Sequence, residues 1–305
     1  MDQRFPADGA QRFAPAGEPE KIADWSHPTV EPNKLSRFDV STTVDGVRVD
    51  IAGMYRSGIG EPIVFLHGFG STKEDYSDVV QRTELSDRPV VAYDAPGFGA
   101  SRCGQPQRLS IPLLVSTALA VLDSRPIDTF HVIGHSMGGL TGLMLASDHP
   151  NRVLSFIDIE GNVAPEDCFL SRQIIDGDPD PEVFLDEFTR KAWDSRFYSS
   201  ALYSAGLAHK VQSNSVRGIF ESMVDLSDNG NLMSRFVGLP IPKMFMYGEQ
   251  NSSLSYLSHL SNSGVELAEI PSSGHFPMYS NPPEMWRRVS EFLVSNSSSP
   301  VPEQL

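Results

Sequence analysis

No part of this chain constrains its fold more than residues 129–146. Thr129-Phe130-His131-Val132-Ile133 is a short apolar run that reads as a buried strand. Gly134-His135-Ser136-Met137-Gly138-Gly139 follows, and Leu140-Thr141-Gly142-Leu143-Met144-Leu145-Ala146 reads as a helix. A serine in G-x-S-x-G between a strand and a helix sits on a tight, strained turn with its hydroxyl exposed above the sheet, a nucleophile elbow. Gly134 and Gly138 leave no Cβ where the strand and helix crowd together.

The flanking segments alternate strand and helix in the way this element requires. Arg37-Phe38-Asp39-Val40-Ser41 and Val47-Arg48-Val49-Asp50-Ile51-Ala52, parted by Asp45-Gly46, carry a hairpin signal. Pro62-Ile63-Val64-Phe65-Leu66 is continuously apolar, as expected of a strand buried on both faces, and ends in His67-Gly68-Phe69-Gly70-Ser71. A helix is expected over 73–82. The strand Pro89-Val90-Val91-Ala92-Tyr93 comes next, then the turn Asp94-Ala95-Pro96-Gly97-Phe98-Gly99-Ala100-Ser101, then a helix over 111–124. After the elbow helix, Val153-Leu154-Ser155-Phe156-Ile157-Asp158-Ile159 is another strand. Such alternation predicts right-handed crossovers and a mainly parallel sheet.

From 163 to 238 the strand signal stops, and only helical stretches such as Glu182–Trp193 and Val216–Leu226 remain. Alternation resumes with Lys243-Met244-Phe245-Met246-Tyr247, a helix over 253–262, and Val265-Glu266-Leu267-Ala268-Glu269-Ile270. A last amphipathic helix, Pro283–Ser295, starts on proline. The expected organisation is a flexible arm over 1–34, a core over 35–162 and 239–296, a helical cap over 163–238, and a frayed tail over 297–305.

Composition narrows the partners. A net charge of −15 argues against nucleic acid and anionic membrane. No apolar run reaches the roughly 20 residues that span a bilayer, and Met1–Pro6 lacks the apolar core of a signal peptide, so a cytoplasmic protein is expected. Cys103 and Cys168 are expected as free thiols, with no metal cluster and no cofactor.

An elbow serine needs a base, because its hydroxyl is a poor nucleophile until a proton is removed. Among the histidines, His275 in Pro271-Ser272-Ser273-Gly274-His275-Phe276-Pro277 directly follows the last strand, at the sheet edge Ser136 occupies. His67 and His135 lie inside tight turns beside glycine, where packing or pocket lining is the expected role.

In their order, the H-G-x-G turn, the D-x-P-G-x-G-x-S turn, G-x-S-x-G and the late G-H-F-P loop resemble the α/β-hydrolase superfamily over residues 37–295. The resemblance implies an eight-stranded, mainly parallel sheet with helices on both faces and the cap inserted after strand six. It also implies an oxyanion site formed by the backbone N–H groups of Phe69 and Met137. Many relatives carry G-x-x-D after the strand at 243–247, whereas here Gly248-Glu249-Gln250-Asn251 ends in an amide. Glu160, at the end of the preceding strand, is the expected replacement acid, with Asp158 and Glu249 as competitors. This resembles haloalkane-dehalogenase-like and zearalenone-lactonase-like members, although serine at the elbow argues against a carboxylate nucleophile.

The expected function is therefore a serine hydrolase in which Ser136, His275 and Glu160 cleave a carboxylic ester, lactone or thioester through an acyl-enzyme. Cap residues such as Phe169, Leu170, Phe184, Phe188, Trp193, Phe197, Tyr198, Leu202, Tyr203 and Phe220 suggest a small apolar or aromatic substrate. Acyl transfer, C–C bond hydrolysis and a non-catalytic ligand receptor stay open, as does self-association into a homo-oligomer.

Overall fold

The computed structural model describes residues 34–176 and 180–297. Apart from Lys34 and Ser297, the expected arm and tail lie outside the described residues. The sheet begins as a hairpin, β1 (Ser36–Val44) and β2 (Val47–Arg56), paired from Ser36 opposite Tyr55 to Val44 opposite Val47. Its two-residue turn has φ of 48° at Asp45 and 77° at Gly46. Positive φ at both centres matches the right-handed twist of the flanking strands.

Six strands follow: β3 (Ile63–Leu66), β4 (Val90–Tyr93), β5 (Phe130–His135), β6 (Val153–Ile159), β7 (Lys243–Gly248) and β8 (Glu266–Ile270). Their order in the sheet is β1-β2-β4-β3-β5-β6-β7-β8, with every pair from β4 onward parallel. A two-residue strand, Arg102–Cys103, pairs with β2 beside this eight-strand path. Successive strand residues point to opposite faces, so each strand feeds two cores. Val64, Leu66, Val132, Phe156 and Phe245 pack on one side of the sheet. Ile63, Phe65, Ile133, Ile157, Met244 and Met246 pack on the other.

Helices α1 (Ile111–Asp123) and α2 (Met137–Asp148) cover the first face. Between β6 and β7 the chain forms α3 (Ser171–Asp176), α4 (Pro181–Trp193), α5 (Tyr198–Lys210), α6 (Val216–Asn229) and α7 (Leu232–Gly238). After β7 come α8 (Leu257–Asn262), α9 (Pro277–Ser280) and α10 (Pro282–Ser295). Trp286 of α10 fills the second face, edge-on to Phe65 at 5.8 Å, and its indole N–H donates to Asp78 at 2.7 Å. Residues 73–81, expected as an ordinary helix, form a 3-10 helix that buries Tyr76 and Val79 there.

The helical insertion is bound to the loops at the carboxyl edge of the sheet. Gly99 N–H donates to Lys210 O at 2.8 Å, Gln212 N–H to Gly97 O at 3.0 Å, and the Gln212 amide to Ser101 O at 2.9 Å. Ile111 N–H also donates to Ser222 Oγ of the insertion at 3.0 Å. No helix among the described residues is long and apolar enough to cross a membrane. Cys103 and Cys168 are free and buried.

Candidate active site

Ser136 is the single residue between β5 and α2, with φ 52° and ψ −119°. Such a conformation costs about 1–3 kcal/mol and persists because its surroundings enforce it. Ser136 N–H donates to Ile159 O of β6, and Leu140 N–H donates to Ser136 O, both at 3.0 Å. The two glycines permit this crossing: a Cβ on Gly138 would lie 2.1 Å from Leu66 O, and one on Gly134 would lie 2.3 Å from Gly138 O.

Glu160 follows β6 in a left-handed conformation, φ 47°, and its N–H donates to Met246 O. Its carboxylate, only 6% exposed, accepts from His275 Nδ1 at 2.8 Å. Gly248 N–H donates to it at 2.8 Å, and the Asn251 amide donates to both of its oxygens at 2.8 Å. Burial pushes this carboxyl up, but the His275 contact, the Asn251 amide and the Gly248 N–H outweigh it and hold the group below the usual range. Glu160 is thus kept ionised on the imidazole. The competing acids sit elsewhere. Asp158 is fully buried against Gly161 N–H at 2.8 Å, and burial pushes its carboxyl far up. Glu249 accepts from Ser272 N–H at 2.7 Å.

With Nδ1 facing Glu160, Nε2 is the His275 nitrogen left for a serine proton. Ser136 and His275 line the same cavity but share no hydrogen bond. In unliganded sites this bond is often long and tightens with substrate. The His275 main chain is held by His135, whose Nε2 donates to His275 O at 2.7 Å. Burial, and next the proximity of His275, push the His135 imidazole down to about 3, so it stays neutral. His67, also buried, accepts from Ala95 N–H through Nε2 at 2.8 Å; its Nδ1 therefore carries the proton, donated to Gly68 O at 2.8 Å.

Phe69 follows that carbonyl, and Met137 opens α2 directly after Ser136. Neither backbone N–H has an acceptor among the described residues. Asp94 fastens the loop after Phe69: it accepts from Lys73 N–H at 2.9 Å, Lys73 Nζ at 2.8 Å and Ala100 N–H at 2.9 Å.

Ser136, Glu160, His275 and Phe69 line a cavity of about 560 Å³. Leu170, Phe188, Phe197, Tyr203, Phe220 and Met223 of the insertion form much of its apolar wall, and Phe169 stands at the wall while largely exposed. Trp193, Tyr198 and Leu202 do not line it; they face solvent. Phe184 is buried behind the wall, stacked on Phe188. Asn162, Glu166, Asp167, Gln250 and Asn251 add polar groups to the lining.

A family model described as the alpha/beta hydrolase family matches residues 63–288. The chain belongs to that family. Among curated relatives, the protein named "Putative carbamate hydrolase RutD" of Caulobacter vibrioides is 31% identical over 47% of this chain and 54% of its own. The pimeloyl-[acyl-carrier protein] methyl ester esterase of Aeromonas hydrophila is 34% identical over 38% of this chain and 42% of its own. The chain thus spans about half the length of the curated relatives it matches. Among solved alpha/beta hydrolase structures, a carboxylesterase study of Nitrososphaera gargenis aligns with a TM-score of 0.69 at 17% identity, over 84% of this chain and 98% of that one. The N-acyl homoserine lactonase AidH aligns with a TM-score of 0.68 at 19% identity, over 89% and 98%. These likenesses show the fold.

Sequence reasoning missed the part played by Asn251. Its only signal was an amide where an acid was expected, and the side chain proves to be a donor to Glu160.

Proposed function

We propose that this protein is a serine hydrolase that cleaves an uncharged carboxylic ester or lactone, with an apolar or aromatic group, through an acyl-enzyme. The observation that carries the reading is the bond from His275 Nδ1 to Glu160 beside a serine on a strained strand–helix turn. His275 Nε2 takes the Ser136 proton as Oγ attacks the carbonyl carbon. The Phe69 and Met137 N–H groups receive the developing oxyanion, each such donor being worth roughly 10²–10³ in rate. Collapse expels the alkoxide, which leaves with the proton from His275. Water, deprotonated by the same nitrogen, then frees the acid and restores Ser136.

The helices between β6 and β7 act in this reading as a cap that selects substrates, since they supply most of the apolar wall. Among the described residues, three carboxylates, Glu160, Glu166 and Asp167, line the cavity against one ammonium, Lys191. That balance favours neutral substrates over thioesters on phosphate-bearing carriers. The names of the relatives, an esterase and a carbamate hydrolase, agree with cleavage at a carbonyl.

The test is labelling by a fluorophosphonate probe, followed by turnover of a panel of esters, lactones and carbamates. Labelling abolished by Ser136→Ala, with ester or lactone turnover lost in the same variant, is expected. A wild-type protein that neither labels nor turns over any member of the panel overturns the reading.

A further inference from the structure

Tyr203 belongs to α5, in the helical insertion, yet its hydroxyl donates to the Phe69 carbonyl at 2.8 Å. It is 2% exposed, and its ring stacks on Phe276 at 4.4 Å between centroids. Phe276 follows His275 and meets the imidazole edge-on at 5.1 Å. One side chain of the insertion therefore touches both the loop that carries Phe69 and the loop that carries the base.

The surrounding chain is shaped for this contact. Gly70 has φ +70°, and a Cβ there would come 2.2 Å from the Tyr203 hydroxyl. On the other side of Phe69, the Gly68 carbonyl accepts from His67 Nδ1 at 2.8 Å and from Ser71 N–H at 3.1 Å. That carbonyl shares a peptide plane with the Phe69 N–H. The Phe69 backbone is thus clamped between two hydrogen-bonded carbonyls, one held within the core and one held by the insertion. Among the described residues, Tyr203 is the only donor to the Phe69 carbonyl.

We propose that Tyr203 is a positioning residue that aligns the Phe69 N–H for the oxyanion, so that seating the helical insertion and completing the oxyanion site are one event. The inference rests on the serine-hydrolase reading. Oxyanion donors act on charge that exists only in the transition state, so a misaligned donor lowers kcat and leaves ground-state binding alone.

The experiment compares Tyr203→Phe with wild type, normalising turnover to the fraction of Ser136 titrated by fluorophosphonate so that unfolded protein is not counted. The variant keeps the ring and its stack on Phe276. The expected result is kcat lowered about tenfold with KM within about twofold. Affinity for a boronic acid that forms a tetrahedral adduct should fall by a similar factor. Unchanged kcat and boronate affinity overturn the proposal, and so does a rise in KM alone, which marks a substrate contact instead. A wild-type protein without Ser136 labelling or turnover removes the parent reading; a normal wild type with an unaffected variant removes this inference only.

Discussion

Glu160 and His275 stand 115 residues apart in the chain, and their side chains meet at 2.8 Å. The carboxylate comes from the end of β6 and the imidazole from the loop after β8, and β7 between them contributes the Gly248 N–H that also donates to Glu160. Asn251, just beyond, places its amide nitrogen on both carboxylate oxygens. An aspartate at 251 would set a second negative charge against Glu160, so an amide here and an acid at 160 are parts of one arrangement.

Glu160→Gln should lower turnover by roughly 10²–10⁴, because the imidazolium formed during catalysis loses its counter-charge. The substituted amide would also turn a donor toward the Asn251 amide or the Gly248 N–H, and unmatched buried donors cost about 1–3 kcal/mol. Steady-state kinetics with active-site titration, and thermal unfolding, measure both. Less than about a tenfold loss of turnover would show that Glu160 does not serve His275.

Asn251→Asp should move the acid limb of kcat/KM to higher pH. Glu160 is normally held below its usual range, partly by the Asn251 amide, and the proposed mechanism requires it ionised. A neighbouring carboxylate raises it, so activity on the acid side is lost at a higher pH than in wild type. Asn251→Ala should shift the limb in the same direction by less. Profiles between pH 4 and 9 test this; an acid limb that stays in place in both variants contradicts it.

Substrate charge should matter more than substrate length. An uncharged ester should exceed its analogue with a terminal carboxylate by about tenfold or more in kcat/KM, a Coulombic cost near 1.4 kcal/mol. Glu166→Gln with Asp167→Asn should narrow the gap, since both side chains line the cavity. Equal rates for the pair in wild type would remove the charge argument.

Asp167 offers a test in stability. Burial raises its carboxyl from 3.8 to about 6, although it accepts from Val163 and Ala164 N–H and from the Tyr256 hydroxyl. A raised folded-state pKa contributes stability that is fully present below 3.8 and is lost as pH rises through about 6. Asp167→Asn mimics the protonated acid and should escape that loss. Its unfolding free energy relative to wild type should therefore rise between pH 4 and 6 by on the order of 1–3 kcal/mol and then level off. Parallel pH–stability curves for the two proteins would refute it.

Much of this architecture was legible in local pattern. Alternating or continuous apolar runs marked the strands, and the glycines around Ser136 marked a crossing that admits no side chain, as the 2.1 Å approach at Gly138 shows. The loop holding His275 could be placed at the correct sheet edge because parallel strands all end on one side. These features depend on a few neighbouring residues and on steric limits that hold in any context.

What only the tertiary structure decided depends on how distant elements pack. Three acids stood near the right edge, yet strand phase buried Asp158 against Gly161, turn geometry gave Glu249 to Ser272, and Glu160 met the imidazole. The insertion had many aromatic residues, but the rotation of α4 and α5 against the core turned Trp193, Tyr198 and Leu202 outward and Tyr203 inward onto Phe69. By itself the sequence determined which segments fold and which serine stands at the turn, because periodicity and glycine sterics act within a few residues. Which carboxylate and which tyrosine reach the site was decided by the register of packed strands and helices, where a shift of one residue turns a side chain to the opposite face.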